Sequence, residues 1–398
     1  MKLLPVEEAR SRMLAAARPL PAEGVPLAQA VGRVLAADVR ASRDQPPFPA
    51  SAMDGWAIRS ADGPGPRRIV GESAAGHGYE RPLGPGEAVR IFTGAPVPTG
   101  ADKVVIQEEA RREGDQVVFE RIDDGDNIRP AALDFAAGDR LLVAGTRLDP
   151  WRLTLAAAAG LPAVSVAAEP RVALLSTGEE VVPPGASPGP FQIYNSGTTS
   201  LGALAAAWGA AVTPLGIAGD DDTAIAAAVA GAGGDLVVTL GGASVGDYDR
   251  VKPALERLGL RLAVQSVAMR PGKPTWFGTL DDGRLVLGLP GNPASSMVCA
   301  ELFLRPLLRA LQGAAPEARV VRARLTAPLP ANGQREHWMR VRLGEDGAAG
   351  RTAAALSDQD SSLMTVFAEA DALLRRPIGA PAAAAGDVVE VLPLDRMA

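Results

Sequence analysis

From Arg171 onward, short apolar runs alternate with alanine-rich stretches of helical length. Runs such as RVALLST, DLVVTLGG and RLVLGLP are typical of strands that are buried on both faces. Strands that alternate with helices of this length favour βαβ units, in which helices pack on both sides of a parallel sheet. We therefore predict a central, doubly wound and mostly parallel α/β domain over residues 169–314.

The chain on either side of this domain has a different pattern. Residues 48–134 alternate short β-like runs with glycine turns, which predicts a small all-β module. Residues 1–47 and 135–168 mix helical and extended patterns and predict a linker domain, with helical spacing over residues 6–37 interrupted by prolines. Runs such as VVRARLT and VVEVLP predict a C-terminal, β-barrel-like module over residues 315–398.

Composition disfavours several classes of protein. The formal net charge of −6 argues against non-specific nucleic-acid binding, because neutralising phosphates needs a basic surface. One cysteine cannot form an internal disulfide, and two histidines far apart in sequence disfavour a histidine triad or a histidine metal site. Acids and arginines near the N-terminus disfavour a signal peptide, and glycine and proline break the apolar stretches. We expect a cytoplasmic protein without a membrane span.

The loop after the first strand of the α/β domain is a candidate binding site, since ligands of a doubly wound sheet lie at the carboxyl ends of its strands. Ser176 and Thr177 end this strand and offer hydroxyls and backbone N–H groups. Glu180 follows and offers a carboxylate that could orient a metal or a polar ligand. A structural turn with solvated acids is the alternative for this segment.

The loop after the third strand combines glycines with carboxylates. Gly241 and Gly242 let the backbone approach a ligand closely, and their N–H groups can form an anion-binding concavity. Asp247 and Asp249 follow and suit Mg²⁺ held beside a phosphate. Three aspartates at 220–222 open the preceding helix and act either as N-caps or as further ligands.

Two later loops suit an oxyanion. Arg270 and Lys273 lie in a rigid RPGKP loop, and two fixed cations match phosphate or molybdate. The last strand runs through LPGNPASS into a helix, so a helix N-terminus and serine hydroxyls face the same region. We therefore predict an oxyanion and metal site at these strand ends.

Two loops outside the α/β domain also stand out. The segment SAMDG places Asp54 after a proline-rich extended run, and TGAPVP begins at Thr93. Propensity alone makes both of them structural turns.

In combination these segments resemble the MoeA family, which includes the gephyrin E-domain. PPFPASAMDGWAI, IFTGAPVPTGADKVVIQEE, STGEE, GGASVGDYD, RPGKP and LPGNPAS occur in the family's order and at its approximate spacing. The resemblance covers essentially the whole chain and implies a four-domain architecture with a molybdopterin-binding α/β domain. It implies insertion of molybdate into adenylated molybdopterin, with Mg²⁺-dependent hydrolysis and release of AMP.

The resemblance also implies partners and residue roles. It implies a homodimer whose active site joins the α/β domain of one subunit to the SAMDG module of the other. A molybdopterin adenylyltransferase and chaperones of apo-molybdoenzymes are the implied protein partners.

The resemblance assigns roles to individual residues. The expected catalytic residues are Asp54, Thr93, Asp134, Glu180 and Asp249. The expected substrate-binding residues are Ser176, Thr177, Gly241, Gly242, Ser244, Gly246, Pro290, Gly291, Asn292 and Pro293. The expected molybdate or phosphate ligands are Arg270, Lys273, Ser295, Arg340 and Ser361, and the expected metal ligands are Asp221, Asp247 and Asp249.

Three positions depart from the family pattern. The family commonly has lysine at Arg270, an asparagine at Gly197, and a Gly-Glu pair at 132–133 before Asp134, where this chain has alanine and leucine. Two alternative functions stay open: a molybdopterin adenylyltransferase on a similar α/β domain, and a non-enzymatic scaffold dimer like the gephyrin E-domain. The GGASVG loop argues against the first, since the adenylylating domains usually have GGTG there. The nearly complete set of site residues argues against the second.

Overall fold

The structure is a computed structural model and describes residues 3–242, 250–315, 320–347 and 350–394. Its α-helices are Val6–Ala16, Pro150–Ala158, Gly197–Ala207, Asp222–Gly231, Val251–Glu256, Pro293–Cys299, Arg305–Leu311 and Met364–Glu369. A π-helical segment, Ala300–Leu304, joins two of these helices, and short 3₁₀ turns lie at Leu27–Gln29, Ser60–Asp62 and Gln107–Glu109. Within the described chain, no helix has the length and apolar character needed to cross a membrane.

The central domain is built on a six-stranded sheet. In spatial order its strands are Ala211–Ala218, Arg171–Thr177, Leu236–Leu240, Leu285–Leu289, Trp276–Thr279 and Arg261–Val264. The pairings among the first four strands are parallel, and the last two strands are added through antiparallel pairings. The predicted, mostly parallel sheet is confirmed.

Helices cover both faces of this sheet because successive strand residues point to opposite sides. On the first strand, Val172 and Leu174 pack into one apolar core, which also contains the helices Gly197–Ala207 and Val6–Ala16. Ala173 and Leu175 pack into a second core with residues of Asp222–Gly231 and Val251–Glu256. Two cores, one on each face, confirm the doubly wound architecture.

The N-terminal segment differs from its predicted helical pattern over residues 6–37. The helix ends at Ala16, and Ala22–Pro26 forms a strand that pairs antiparallel with Ala163–Ala167. Pro19 and Pro21 explain the difference, since proline removes a backbone donor and forces the preceding residue out of the helical region. The extended helical prediction is therefore wrong beyond the first helix.

The small β module contains a second six-stranded sheet. Its strands, in spatial order, are Lys103–Ile106, Gly55–Ile58, Glu87–Ile91, Gly65–Ser73, Gln116–Phe119 and Ala110–Glu113. A shorter antiparallel pair joins Ala50–Ser51 to Ile128–Arg129, and another joins Val39–Arg40 to Arg140–Leu142 in the segments predicted as the linker domain. The SAMDG segment therefore lies between a strand pair and the start of the sheet.

The C-terminal module is a closed barrel, as predicted. Its strands follow the order Glu336–Asp346, Gly350–Ala355, Val321–Leu325, Val388–Pro393 and Ala372–Arg376, and the last strand pairs back to the first. One further pairing links the barrel to the central domain: Met269–Arg270 runs parallel to Glu336 and His337. The RPGKP loop of the α/β domain is thereby fixed beside the barrel.

Candidate active site

A cavity of about 380 Å³ lies at the carboxyl ends of the parallel strands. It is the place that the doubly wound topology provides for a ligand. Several predicted substrate-binding residues line it, namely Ser176, Thr177, Gly241, Gly242, Pro290, Gly291, Asn292 and Pro293. Glu180, a predicted catalytic residue, lines it too. The structure therefore brings together loops from three neighbouring strands.

Two glycines shape this cavity. Gly241 has a φ of +86°, and a Cβ there would meet the Thr177 carbonyl oxygen at 2.6 Å. Gly242 has a φ of +56°, and its Cβ would meet Val251 Cγ2 at 2.4 Å. Both positions require glycine because the backbone is left-handed and a neighbouring element, a strand end at Gly241 and the helix Val251–Glu256 at Gly242, is too close for a side chain. Thr177 Oγ1 donates to the Leu240 carbonyl at 3.3 Å and ties the two strand ends together.

The segment 193–197 forms another part of the cavity wall, which the sequence did not assign to binding. Asn195 Oδ1 accepts a hydrogen bond from the Thr198 N–H at 3.1 Å and so holds the start of the helix Gly197–Ala207. A Cβ at Gly197 would meet Leu240 Cδ2 at 2.9 Å. A longer side chain at Gly197 would therefore need Leu240 to move.

A second cavity of about 290 Å³ adjoins the first. The two cavities share Pro274, Pro290 and Asn292 as lining residues, so they are contiguous. Predicted oxyanion ligands line the second cavity, namely Arg270, Lys273, Ser295 and Ser361. Arg335, Gln359 and Asp360 also line it and were not predicted.

Arg340, a predicted molybdate ligand, is fully buried and is not among the described residues that line the smaller cavity. It lies behind the wall of this cavity, where it hydrogen-bonds to the lining residues Gln359 and Asp360. Its Nη2 donates to the Asp360 carbonyl at 2.9 Å, while its Nε and Nη1 are buried without a hydrogen-bond partner. Burial lowers the pKa of the Arg340 guanidinium, and the positive charge of Arg270 lowers it further. The carboxylates of Asp358 and Asp360 raise this pKa but do not offset the effect of burial. A buried cation with unpaired donors favours an additional anion.

The charges around the smaller cavity are mostly positive. Hydrogen bonds from the Ser362 hydroxyl and N–H, together with Arg340 and Arg270, lower the pKa of Asp360 and keep it ionised. Burial and the neighbouring arginines at 270, 340, 335 and 376 lower the pKa of His337 to about 4. This imidazole is therefore neutral at neutral pH. The cavity has the features of an oxyanion site: fixed cations, hydroxyls and a rigid wall.

Asp54 and Thr93 contact each other at the surface of the small β module. Asp54 Oδ1 accepts hydrogen bonds from the Thr93 N–H and hydroxyl, both at 2.8 Å. These two bonds lower the pKa of the Asp54 carboxyl. Asp134 is exposed, and its N–H donates to the Gln45 carbonyl at 2.9 Å. None of these three described residues lines either cavity of this chain.

The predicted metal ligands are only partly described. Both carboxylate oxygens of Asp221 cap the helix Asp222–Gly231, by accepting from the N–H groups of Thr223 and Ala224 at 3.0 and 3.2 Å. Asp221 is not among the described residues that line the two cavities. Ser244, Gly246, Asp247 and Asp249 lie outside the described residues. Elsewhere in the described chain, no group of three histidine, cysteine or acidic side chains could hold a metal ion.

The fold and the two contiguous cavities define a class: a multidomain protein whose α/β domain has a cavity at its strand ends, beside a second, cationic cavity next to a barrel. Family models match in three consecutive segments. The MoeA N-terminal region (domains I and II) matches residues 4–160, the probable molybdopterin binding domain matches residues 173–310, and the MoeA C-terminal region (domain IV) matches residues 322–394. The chain belongs to the MoeA family.

Individual relatives agree with this assignment. A molybdopterin molybdenumtransferase of Nostoc sp. is 38% identical over 94% of this chain and 88% of its own length. The molybdopterin molybdenumtransferase of Bacillus subtilis is 33% identical over 98% of this chain and 94% of its own length. The crystal structure of a molybdopterin biosynthesis MoeA protein from Pyrococcus horikoshii has a TM-score of 0.84 at 30% identity, covering 98% of this chain and 99% of that chain.

Proposed function

We propose that this protein is a molybdopterin molybdenumtransferase, which inserts molybdenum from molybdate into adenylated molybdopterin during molybdenum cofactor biosynthesis. Its family membership and the names of its relatives support this transferase activity. The observation that carries the proposal is Arg340, a buried guanidinium with two unpaired nitrogens behind a cationic cavity. That cavity adjoins the ligand cavity of the molybdopterin-binding domain.

The two cavities divide the substrates between them. The larger cavity takes adenylated molybdopterin, with the strand-end hydroxyls and the N–H groups around Gly241 and Gly242 facing its polar atoms. The smaller cavity takes molybdate, which Arg270, Lys273 and Ser361 bind through its oxygens. Shared walls let the dithiolene sulfurs of one substrate reach the molybdenum of the other. The two thiols of the dithiolene form Mo–S bonds as one Mo–O bond breaks, and their two protons leave with that oxygen as one water molecule. Attack of a second water on the phosphoanhydride releases AMP and leaves the phosphate on the pterin.

The acidic residues have proposed roles in this reaction. Glu180 lines the larger cavity, where its carboxylate can orient a polar group of the pterin. Asp249 would orient the water that attacks the phosphoanhydride. Asp54, held ionised by Thr93, and Asp134 would act near the pterin. Since Asp54, Thr93 and Asp134 do not line the cavities of their own chain, a second subunit would supply them.

A homodimer follows from that requirement. The surfaces involved also carry exposed apolar side chains: Met53 beside Asp54, and Phe191 and Ile193 beside the larger cavity. Exposed apolar residues at both places fit surfaces that meet in an assembly. We propose that the SAMDG module of one subunit covers the larger cavity of its partner.

Mg²⁺ is the proposed metal, held by Asp221, Asp247 and Asp249. Carboxylate oxygens are the ligands that this hard cation prefers, so the donor set fits. Asp221 is exposed at the start of its helix, where each of its oxygens already accepts one N–H and retains lone pairs. When bound, Mg²⁺ would neutralise charge on the substrate phosphates. A cytoplasmic location, supply by a molybdopterin adenylyltransferase and delivery to chaperones of apo-molybdoenzymes complete the proposal.

A defined assay tests the activity. Purified protein is mixed with adenylated molybdopterin, molybdate and Mg²⁺, and AMP release is followed together with reconstitution of an apo-molybdoenzyme. We expect AMP release that depends on molybdate and is lost in Asp249→Ala. Adenylation of free molybdopterin from ATP would instead indicate an adenylyltransferase. No turnover from a folded protein would indicate a scaffold.

A further inference from the structure

Arg340 lies at an interruption in the pairing of its barrel strand. On one edge of Glu336–Asp346, Met269–Arg270 pairs with Glu336 and His337. Pairing with Gly350–Ala355 on that edge begins only at Val341. The strand Ala372–Arg376 runs along the other edge. The main chain of Arg340 is therefore placed between two strand partners.

The side-chain amide of Gln359 occupies this interruption. Its Oε1 accepts from the Arg340 N–H at 2.8 Å, and its Nε2 donates to the Arg340 carbonyl at 3.0 Å. The same Nε2 donates to the Leu356 carbonyl at 2.9 Å. The amide thus bonds both main-chain groups of Arg340, as a peptide group of a neighbouring strand would. The Leu356 N–H also donates to the Arg340 carbonyl at 3.1 Å, so the Arg340 N–H is the group that depends on the amide.

The residues that follow Gln359 extend this connection to the smaller cavity. The Asp360 carbonyl accepts from Arg340 Nη2 at 2.9 Å. Ser361 Oγ accepts from Asn292 Nδ2 at 3.1 Å, which ties the barrel loop to the last strand end of the α/β domain. Three consecutive residues therefore hold a barrel strand, a buried guanidinium and a strand-end loop in one arrangement.

We propose that Gln359 is a positioning residue of the oxyanion site, which fixes Ser361 in the wall of the smaller cavity and the buried guanidinium of Arg340 behind that wall. This inference rests on the proposed function, because it assigns the smaller cavity to molybdate. Loss of the amide would leave the Arg340 N–H unpaired, while the Arg340 carbonyl would keep its bond from the Leu356 N–H at 3.1 Å. It would also release the loop that carries Ser361. Small displacements of fixed donors weaken the binding of an anion that needs several of them at once.

Two variants and a matched control test the role. Gln359→Met keeps the length of the side chain and removes all three hydrogen bonds. Gln359→Asn keeps the amide group but shortens the side chain by one methylene, and it provides the test if Gln359→Met does not fold. The control is Gln312→Met, since Gln312 is a glutamine more buried than Gln359 and its Nε2 likewise donates to two carbonyls, those of Trp208 and Leu308 at 3.0 Å in the α/β domain.

Molybdate binding to the full-length protein is measured by calorimetric titration, together with the unfolding midpoint and the KM of each substrate. We expect Gln359→Met and Gln359→Asn to weaken molybdate binding and raise its KM about ten-fold or more, the effect of losing one or two well-placed hydrogen bonds. The KM of adenylated molybdopterin should stay near the wild-type value. Gln312→Met should keep wild-type molybdate binding.

The variant Lys273→Ala distinguishes failure of the positioning role of Gln359 from failure of the oxyanion site itself. Binding that is lost in Lys273→Ala but kept in both Gln359 variants overturns the positioning role and leaves the oxyanion site intact. Equal weakening in the Gln359 variants and in Gln312→Met assigns the effect to stability and also overturns it. A wild-type protein that binds no molybdate overturns the oxyanion site, and the role of Gln359 with it.

Discussion

At the scale of single residues, the smaller cavity combines side chains from distant parts of the sequence. Arg270, Lys273 and Ser295 could be predicted because each follows a strand of the α/β domain, and strand ends converge at one edge. Arg335 and Gln359 come from loops at the end of the barrel, and no local pattern indicates which barrel loop faces the sheet. Their roles depend on long-range pairing, which a single sequence does not show.

His337 makes the stability of the protein depend on pH. Burial and the surrounding arginines lower its pKa from 6.5 to about 4, so the unfolded chain binds more protons between these pH values. The free energy of unfolding therefore increases as the pH rises through this window and decreases as the pH falls through it. We expect His337→Gln to remove a pH-dependent contribution on the order of 2 kcal/mol.

Urea denaturation at several pH values measures this contribution. The His337→Gln curve should be flatter than the wild-type curve between pH 4 and 6.5. The variant of the exposed histidine, His77→Gln, is the matched control and should keep the wild-type slope. Equal slopes for His337→Gln and the wild type would contradict the effect.

At the scale of elements, local sequence patterns predicted which helices and strands form better than they predicted which strands pair. The alternation of apolar runs predicted the parallel sheet, and the glycine turns predicted the small β module. The N-terminal helix was predicted too long, because helical spacing continued past prolines that end the helix at Ala16. The pairing of Met269–Arg270 with the barrel could not be predicted, since its partners are distant in sequence and no periodicity links them. The exact domain boundaries stay predictions.

The start of the helix Asp222–Gly231 offers a test of capping against metal binding. Asp221 caps this helix, so Asp221→Ala should lower the free energy of unfolding by about 1 kcal/mol, while Asp221→Asn retains a capping oxygen. If Asp221 also holds Mg²⁺, we expect Asp221→Asn to raise the Mg²⁺ concentration for half-maximal AMP release about ten-fold. An Asn variant with wild-type Mg²⁺ dependence would assign Asp221 to capping alone.

At the scale of the whole molecule, the proposed active-site residues lie on separate modules. The barrel and the α/β domain enclose the smaller cavity within one chain, whereas Asp54 and Thr93 lie on a module that does not line it. The resemblance to a family predicted a shared site in a dimer. Composition and periodicity alone did not predict it, because nothing in a single chain's pattern indicates which surfaces meet between copies.

Mixing two inactive variants tests the shared site. Asp54→Ala and Lys273→Ala would each disable both sites of a homodimer. In a mixed dimer, one site combines the intact Asp54 of one subunit with the intact Lys273 of the other. Equal co-expression should therefore restore about a quarter of wild-type AMP release, since half of the dimers are mixed and half of their sites are intact.

Light scattering should first give a mass of twice the 40.9 kDa of the chain. Two variants whose mixture stays inactive, although they form mixed dimers, would place the complete site within one subunit.

The most direct measurement is a crystal structure with bound tungstate, whose strong anomalous scattering marks the position of an oxyanion that resembles molybdate. We expect a peak in the smaller cavity, within hydrogen-bond reach of Lys273 and Ser361, and no such peak in Lys273→Ala crystals. A peak in the larger cavity alone, or tungstate bound only elsewhere on the protein, would contradict the assignment of the molybdate site.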